Sequence, residues 1–129
     1  MIITLSILVK YLKLIENHKR RINMAVPVKL DKVNVVLKAN VYFDGKVVSH
    51  TVELENGSKK TIGLIYPGSY TFNTGVPEKM EIISGSCKAR IKGNQDWKDY
   101  AGGSYFDVPG KSSFEIAVES GIAEYLCSY

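Results

Sequence analysis

The stretch from Gly68 to Gly85, GSYTFNTGVPEKMEIISG, constrains this 129-residue chain more than any other. Two alternating runs flank a corner, Gly75-Val76-Pro77-Glu78. In the first run Tyr70, Phe72 and Thr74 point one way and Thr71 and Asn73 the other, because successive side chains of a strand leave opposite faces. Gly75 and Pro77 then interrupt the ladder, one for want of a side chain and the other for want of an N–H. The second run, Met80 to Ser84, ends at Gly85.

The rest of the chain repeats this pattern. Val33 to Ala39 is apolar and β-branched, which predicts a strand. A turn is expected at Asp44-Gly45. Val47 to Leu54 alternates, with Val48, His50, Val52 and Leu54 on one face. Asn56-Gly57 is a strong hairpin signal, and Lys60 to Ile65 is the returning strand. Cys87 to Ile91 places Cys87, Ala89 and Ile91 together. Trp97 to Tyr100, Tyr105 to Val108, Ser113 to Val118 and Ala123 to Tyr129 complete about ten short strands, and Tyr125, Cys127 and Tyr129 share a face. No helix is expected after Met24. So many short strands with apolar faces need a closed barrel or a two-sheet jelly roll to cover them.

Charge divides the chain. The net charge is +4, and residues 1–23 account for all of it through Lys10, Lys13, Lys19, Arg20 and Arg21 against Glu16. The remaining body, 24–129, is neutral and reads as one domain without an electrostatic footprint for nucleic acid. The apolar start is too short to span a bilayer. Its charges also follow the apolar run rather than precede it, unlike a secretory signal. The chain is therefore expected to have no membrane partner and to be cytoplasmic. Leu5, Leu8, Leu12 and Ile15 can share one helix face. The extension can be an amphipathic helix on a partner or membrane surface, a terminal helix capping the fold, or a stretch foreign to the native protein. The last is the expectation, because every recognisable segment follows Met24. The two cysteines, Cys87 and Cys127, read as reduced thiols. His18 and His50 stand apart from other ligands, which argues against a metal site of His and Cys.

The organising stretch can be laid on the first motif of the cupin barrels, resembling His-x-His-x3-Glu-x6-Gly. The frame here is Phe72-x-Thr74-x3-Glu78-x6-Gly85, with both histidine positions replaced. The second cupin motif resembles Gly-x5-Pro-x-Gly-x2-His. Gly103-x5-Pro109 fits it, Gly110 arrives one residue early, and the histidine position falls on Phe114. More specifically, Tyr42 to Tyr129 resembles the small bacterial pyrimidine/purine nucleoside phosphorylases. The segments that carry this are Tyr42-Phe-Asp-Gly-Lys46, Gly68-x-Tyr70-x-Phe72-x-Thr74, Pro77-Glu78-x-Met80, Ile83-Ser84-Gly85, Trp97-x2-Tyr100, Val108-Pro109-Gly110, Ser112-x-Phe114 and Tyr125-Leu126-Cys127-x-Tyr129. Together they cover about two thirds of the chain, in family order. The resemblance implies an all-β, cupin-type jelly-roll barrel. It implies phosphorolysis of purine and pyrimidine ribonucleosides by inorganic phosphate, with neither metal nor organic cofactor, in a homodimer.

That chemistry sets three requirements. A carboxylate or hydroxyls should hold the ribose as it gains oxocarbenium character. An aromatic face and a proton donor should serve the departing base. Cationic or N–H donors should hold the phosphate. Glu78 and Thr74 are the expected catalytic pair, against the plainer readings of a turn carboxylate and a strand hydroxyl. Tyr70, Phe72, Phe114 and Tyr125 are expected against the base, where core packing is the alternative for each. Lys111 and Ser112 are the candidates for phosphate. Arg90 is expected on the surface, and His50 on an apolar face as a core or edge histidine. Two rival functions stay open. One is a non-catalytic cupin that binds a nucleoside or other small ligand. The other is a metal-dependent cupin enzyme, which the three replaced histidine positions oppose.

Overall fold

A computed structural model describes residues 5–14 and 26–129. Residues 5–14 are helical with exposed side chains. Ile15, the cluster Lys19-Arg20-Arg21 and Met24 lie outside the described residues. The strands are β1 (Asn34–Val35), β2 (Asn40–Tyr42), β3 (Val47–Glu53), β4 (Lys59–Ile65), β5 (Gly68–Asn73), β6 (Glu78–Ser84), β7 (Ser86–Ile91), β8 (Lys98–Ala101), β9 (Tyr105–Val108), β10 (Ser113–Val118) and β11 (Ala123–Ser128), with a 3-10 turn at Phe43–Gly45. They form two antiparallel sheets. The seven-stranded sheet runs β1-β3-β4-β11-β6-β9 with β2 also on β3, and the four-stranded sheet runs β5-β10-β7-β8.

The two sheets face each other over one core. Val47, Ile65, Met80, Ile82 and Ala123 of the larger sheet pack with Tyr70, Cys87, Ala89, Phe114, Ile116 and Val118 of the smaller one. An aromatic series links the layers. Phe72 stacks on Phe114 at 5.6 Å, Phe114 meets Phe106 edge-on at 5.6 Å, and Tyr100 lies 4.8 Å from Phe106. Such ring pairs add to the area they bury.

The corner that dominates the sequence proves to be a crossing between sheets. β5 pairs with β10 in the smaller sheet, whereas β6 pairs with β11 and β9 in the larger. The Asn56-Gly57 hairpin forms as expected between β3 and β4, with Gly57 at φ 84° and the Asn56 side chain accepting from the Ser58 N–H at 2.9 Å. The Val33 to Ala39 run is not one strand. Asn34 and Val35 pair with Glu53 and Val52, the chain then leaves the ladder, and Asn40 rejoins it opposite Ser49. Leu37, 87% exposed, lies in this detour.

The alternation of β3 follows the sequence, and the structure shows which of its faces is inside. Val48, His50 and Val52 lie on the outer side of the large sheet, over which residues 27–35 fold, while Ser49 and Thr51 turn inward. His50 is part of that outer face, its Nδ1 3.2 Å from the Val36 carbonyl.

Candidate active site

Glu78 is placed by a cross-link between the two motif regions. The Thr74 N–H donates to the Ser112 carbonyl at 2.9 Å, and the Lys111 N–H donates to the Gly75 carbonyl at 3.0 Å. The Thr74 hydroxyl donates to the Pro109 carbonyl at 2.6 Å and accepts from the Ser112 N–H at 3.0 Å. Gly110 sits against this corner so closely that an added Cβ would lie 3.0 Å from the Gly75 carbonyl oxygen and 3.2 Å from Pro77 Cδ. The turn between β9 and β10 and the corner between β5 and β6 are thus one rigid unit. β6 leaves it with Glu78 as its first residue.

Glu78 opens onto a cavity of about 360 Å³ between the sheets, a size usual for small-ligand sites. Its walls are chemically different. The smaller sheet contributes the stacked rings of Phe72 and Phe114. The larger sheet contributes hydroxyls and an amide from Asn40, Ser49, Thr51 and Thr61, followed by Tyr125, Cys127 and Glu78. Asn40 Nδ2 donates to both Ser49 Oγ and Thr51 Oγ1, each at 3.3 Å. Gly63 lets Tyr125 lie flat along this wall, because a Cβ there would fall 2.8 Å from the tyrosine ring.

Burial sets the protonation of this wall. Loss of solvent pushes the Glu78 carboxyl above its ordinary range, and a hydrogen bond from the Cys127 thiol draws it partly back. Burial, then the neighbouring Glu78, push the Cys127 thiol up to about 12. Burial likewise raises Tyr125 to about 12, against a hydrogen bond from Ser49. The thiol and phenol are therefore neutral donors near pH 7, and the group that changes charge nearest that range is Glu78.

The structure brings Glu78, Phe72, Phe114 and Tyr125 together on this cavity. It sets the other sequence candidates apart. Tyr70 is buried behind the wall, its hydroxyl donating to the carbonyls of Tyr66 at 2.7 Å and Pro67 at 3.0 Å. Thr74 and Ser112 bond each other in the cross-link, and Lys111 rests on it with φ 50° and an exposed side chain. Arg90 pairs with Glu115 at 3.1 Å and lies 4.6 Å over the Trp97 ring. Asn40, Ser49, Thr51 and Thr61 also line the cavity without having been expected there, as do Cys127 and Tyr129, which the alternation of the last strand had placed on one face with Tyr125.

The cupin frame does not offer a metal set. Phe72 and Phe114 present ring carbons, the Thr74 hydroxyl is bonded to backbone on both sides, and Glu78 alone remains. No group of three His, Cys, Asp or Glu side chains suited to a metal occurs among the described residues. Nor is any described helix long and apolar enough to cross a membrane.

Known proteins share this fold and sequence. A protein of unknown function from Acinetobacter sp. ADP1 superposes with TM-score 0.76 at 44% identity, over 78% of this chain and 97% of that one. A cupin-2 domain from Rhodospirillum rubrum superposes with TM-score 0.57 at 14% identity, over 79% and 72%, and shares the fold alone. The pyrimidine/purine nucleoside phosphorylase of Dechloromonas aromatica is 58% identical over 99 residues, covering 77% of this chain and 95% of the relative. That of Methylobacillus flagellatus is 55% identical over 101 residues, covering 78% and 97%. The model of the family described as pyrimidine/purine nucleoside phosphorylase matches residues 37–129, which hold both walls of the cavity and the corner that places Glu78, and the chain belongs to that family.

Proposed function

We propose that the chain cleaves purine and pyrimidine ribonucleosides with inorganic phosphate, giving the free base and ribose 1-phosphate without a metal. The observation that carries this reading is the cavity with one aromatic wall, one neutral polar wall and a single carboxyl at its edge. The base stacks on Phe72 and Phe114, which offer flat faces and no edge-reading groups, so that purines and pyrimidines are both accepted. The sugar lies against the polar wall.

Glu78 gives a proton to the departing base, a role its raised pKa suits. Phosphate oxygen bonds to C1′ as the C1′–N bond breaks. The base takes the Glu78 proton, and the carboxylate recovers one from the monohydrogen phosphate. The attacking anion enters at the Glu78 end, where the cross-link holds the exposed Lys111 beside Gly75. Thr74 positions this end and leaves the bond-making to Glu78. Two copies pair through the outer face of the large sheet, where Val48, Val52, Ile62, Leu64 and Leu126 line an apolar groove of about 550 Å³.

The test is release of free base from a nucleoside panel, with and without phosphate, after treatment with chelator. Phosphate-dependent release that survives chelation is expected. Release without phosphate would make the protein a hydrolase, and binding without release would make it a nucleoside-binding module.

A further inference from the structure

We infer that the Asn40–Thr51 pair is a subsite for the 2′,3′-diol of ribose and gives the protein a preference for ribonucleosides over 2′-deoxyribonucleosides. This rests on the cavity being a nucleoside site, and it assigns the part of that site that the aromatic wall and Glu78 leave over.

The pair owes its place to the detour in the edge strand. Asn34 and Val35 pair with Glu53 and Val52 in a register that, continued, would set Lys38 opposite Ser49. The chain instead leaves the ladder after Val36, whose N–H still donates to the Thr51 carbonyl at 2.8 Å, and returns with Asn40 opposite Ser49. Two extra residues thus exchange a lysine for an amide at this position, and Lys38 is left exposed. The wall stays neutral where a cation would otherwise stand.

The hydrogen bonds of the pair are arranged for a diol. Asn40 Nδ2 gives its two hydrogens to Ser49 Oγ and Thr51 Oγ1. Asn40 Oδ1 accepts no hydrogen bond from the described residues. Having accepted from Asn40, the Thr51 hydroxyl keeps its own proton to give, and it lines the cavity. Ser49, 2% exposed, accepts the other Asn40 hydrogen and anchors the cluster. An acceptor and a donor therefore stand side by side on a rigid wall, which matches two vicinal hydroxyls, one giving and one receiving. A 2′-deoxyribose fills half of this arrangement and leaves one polar group unpaired. A neutral hydrogen bond of this kind is worth about 3- to 10-fold, which sets a preference and still permits the deoxyribose.

The experiment compares kcat/KM for uridine and 2′-deoxyuridine, which share a base, in the full chain and in Asn40→Leu and Thr51→Val. The wild type is expected to favour uridine by about 3- to 10-fold, and the ratio is expected to fall to about 1 in both variants. Thr51→Val keeps the shape of the side chain and serves where Asn40→Leu disturbs the edge strand. A wild-type ratio of 1, or variants that lose activity while keeping the wild-type ratio, would overturn the subsite. Should the wild type cleave neither nucleoside, the phosphorylase reading fails by itself, and the same ratio is taken from dissociation constants by calorimetry. Preferential uridine binding that disappears in the variants then upholds the subsite, and equal binding or none overturns it.

Discussion

The two faces of the seven-stranded sheet are made by alternate residues of the same strands, yet they follow opposite rules. On the inner face β3 and β4 carry Ser49, Thr51 and Thr61, and β11 carries Tyr125 and Cys127. On the outer face the same strands carry Val48, Val52, Ile62, Leu64 and Leu126. A half-buried sheet ordinarily turns its apolar residues inward and its polar ones to water. Here that order is reversed over most of the part of the sheet that walls the cavity, while Val47 and Ala123 keep the inner face apolar beyond it. The reversal marks the interior as a place for a polar ligand and the exterior as a surface that needs a cover. Residues 27–35 supply part of that cover, and Val26 is itself buried.

The largest effect is expected from removing the acid on the inner face. Glu78→Gln keeps the shape of the side chain and removes its proton, so kcat/KM for phosphorolysis should fall by about 10²- to 10⁴-fold. The wild type should lose activity as pH rises through the raised pKa of this carboxyl, because the proposed role needs its protonated form. The pH-rate profile of the variant should lack this limb. A variant with wild-type rates would remove Glu78 from the chemistry.

The cross-link should come next. Thr74→Val breaks two hydrogen bonds and strands the Pro109 carbonyl and the Ser112 N–H. A loss of about 1–3 kcal/mol for each group that stays buried and unpaired is expected, read from denaturant midpoints. Gly63→Ala tests the ladder and the inner face together, since its Cβ would meet the Val48 carbonyl at 2.6 Å and the Tyr125 ring at 2.8 Å. Crowding of this kind costs about 1–3 kcal/mol, and displacement of Tyr125 should weaken nucleoside binding in the same protein. Binding at wild-type strength would show that the ring is free to move and that Gly63 serves the ladder alone.

These residues show where the sequence could be read and where it could not. Gly, Pro and Asn-Gly punctuation located most strand ends within a residue or two, because turn chemistry is local. The cupin spacing located Glu78, Phe72 and Phe114 because a fixed frame of residues encodes a fixed corner. The inner wall was harder to see. Ser49, Thr51 and Thr61 alternate with aliphatic residues as a solvent face does, and period two shows that two faces differ without showing which is inside. His50 was grouped for the same reason with an apolar face, as a core or edge histidine, and that face proves to be the outer one. Asn40 was hidden by the detour, since an interruption of the ladder resets facing, and Val33 to Ala39 reads as one continuous strand. Thr74 was correctly placed at the corner, but its hydroxyl depends on Pro109 and Ser112, more than thirty residues away.

A smaller effect separates the faces from outside. Ile62 is 40% exposed on the outer groove, so Ile62→Lys should change the stability of one chain by no more than about 0.5 kcal/mol. It should nevertheless convert the proposed dimer to a monomer in sedimentation, because a lysine cannot enter an apolar interface unpaired. Nucleoside binding within each chain should survive. An unchanged sedimentation coefficient, dimeric or monomeric, would mean that the groove is not the surface through which copies pair.

The smallest expected effect returns to Glu78 and concerns stability. Burial raises its pKa in the folded chain above the value in the unfolded one, so the folded state holds the proton more tightly. Below the ordinary carboxylate range the group is protonated in both states and contributes equally to each. As pH rises through that range and past the raised value, the folded chain must carry a partly desolvated charge, and it loses stability relative to Glu78→Gln. The variant should therefore melt with the wild type in acid and somewhat above it at neutral pH. The partial exposure of Glu78 keeps the gap small. A wild type more stable than the variant at neutral pH would mean that the carboxylate has a stabilising partner in the resting protein. The inner face would then be arranged to hold a charge, and the general-acid role would pass to another group.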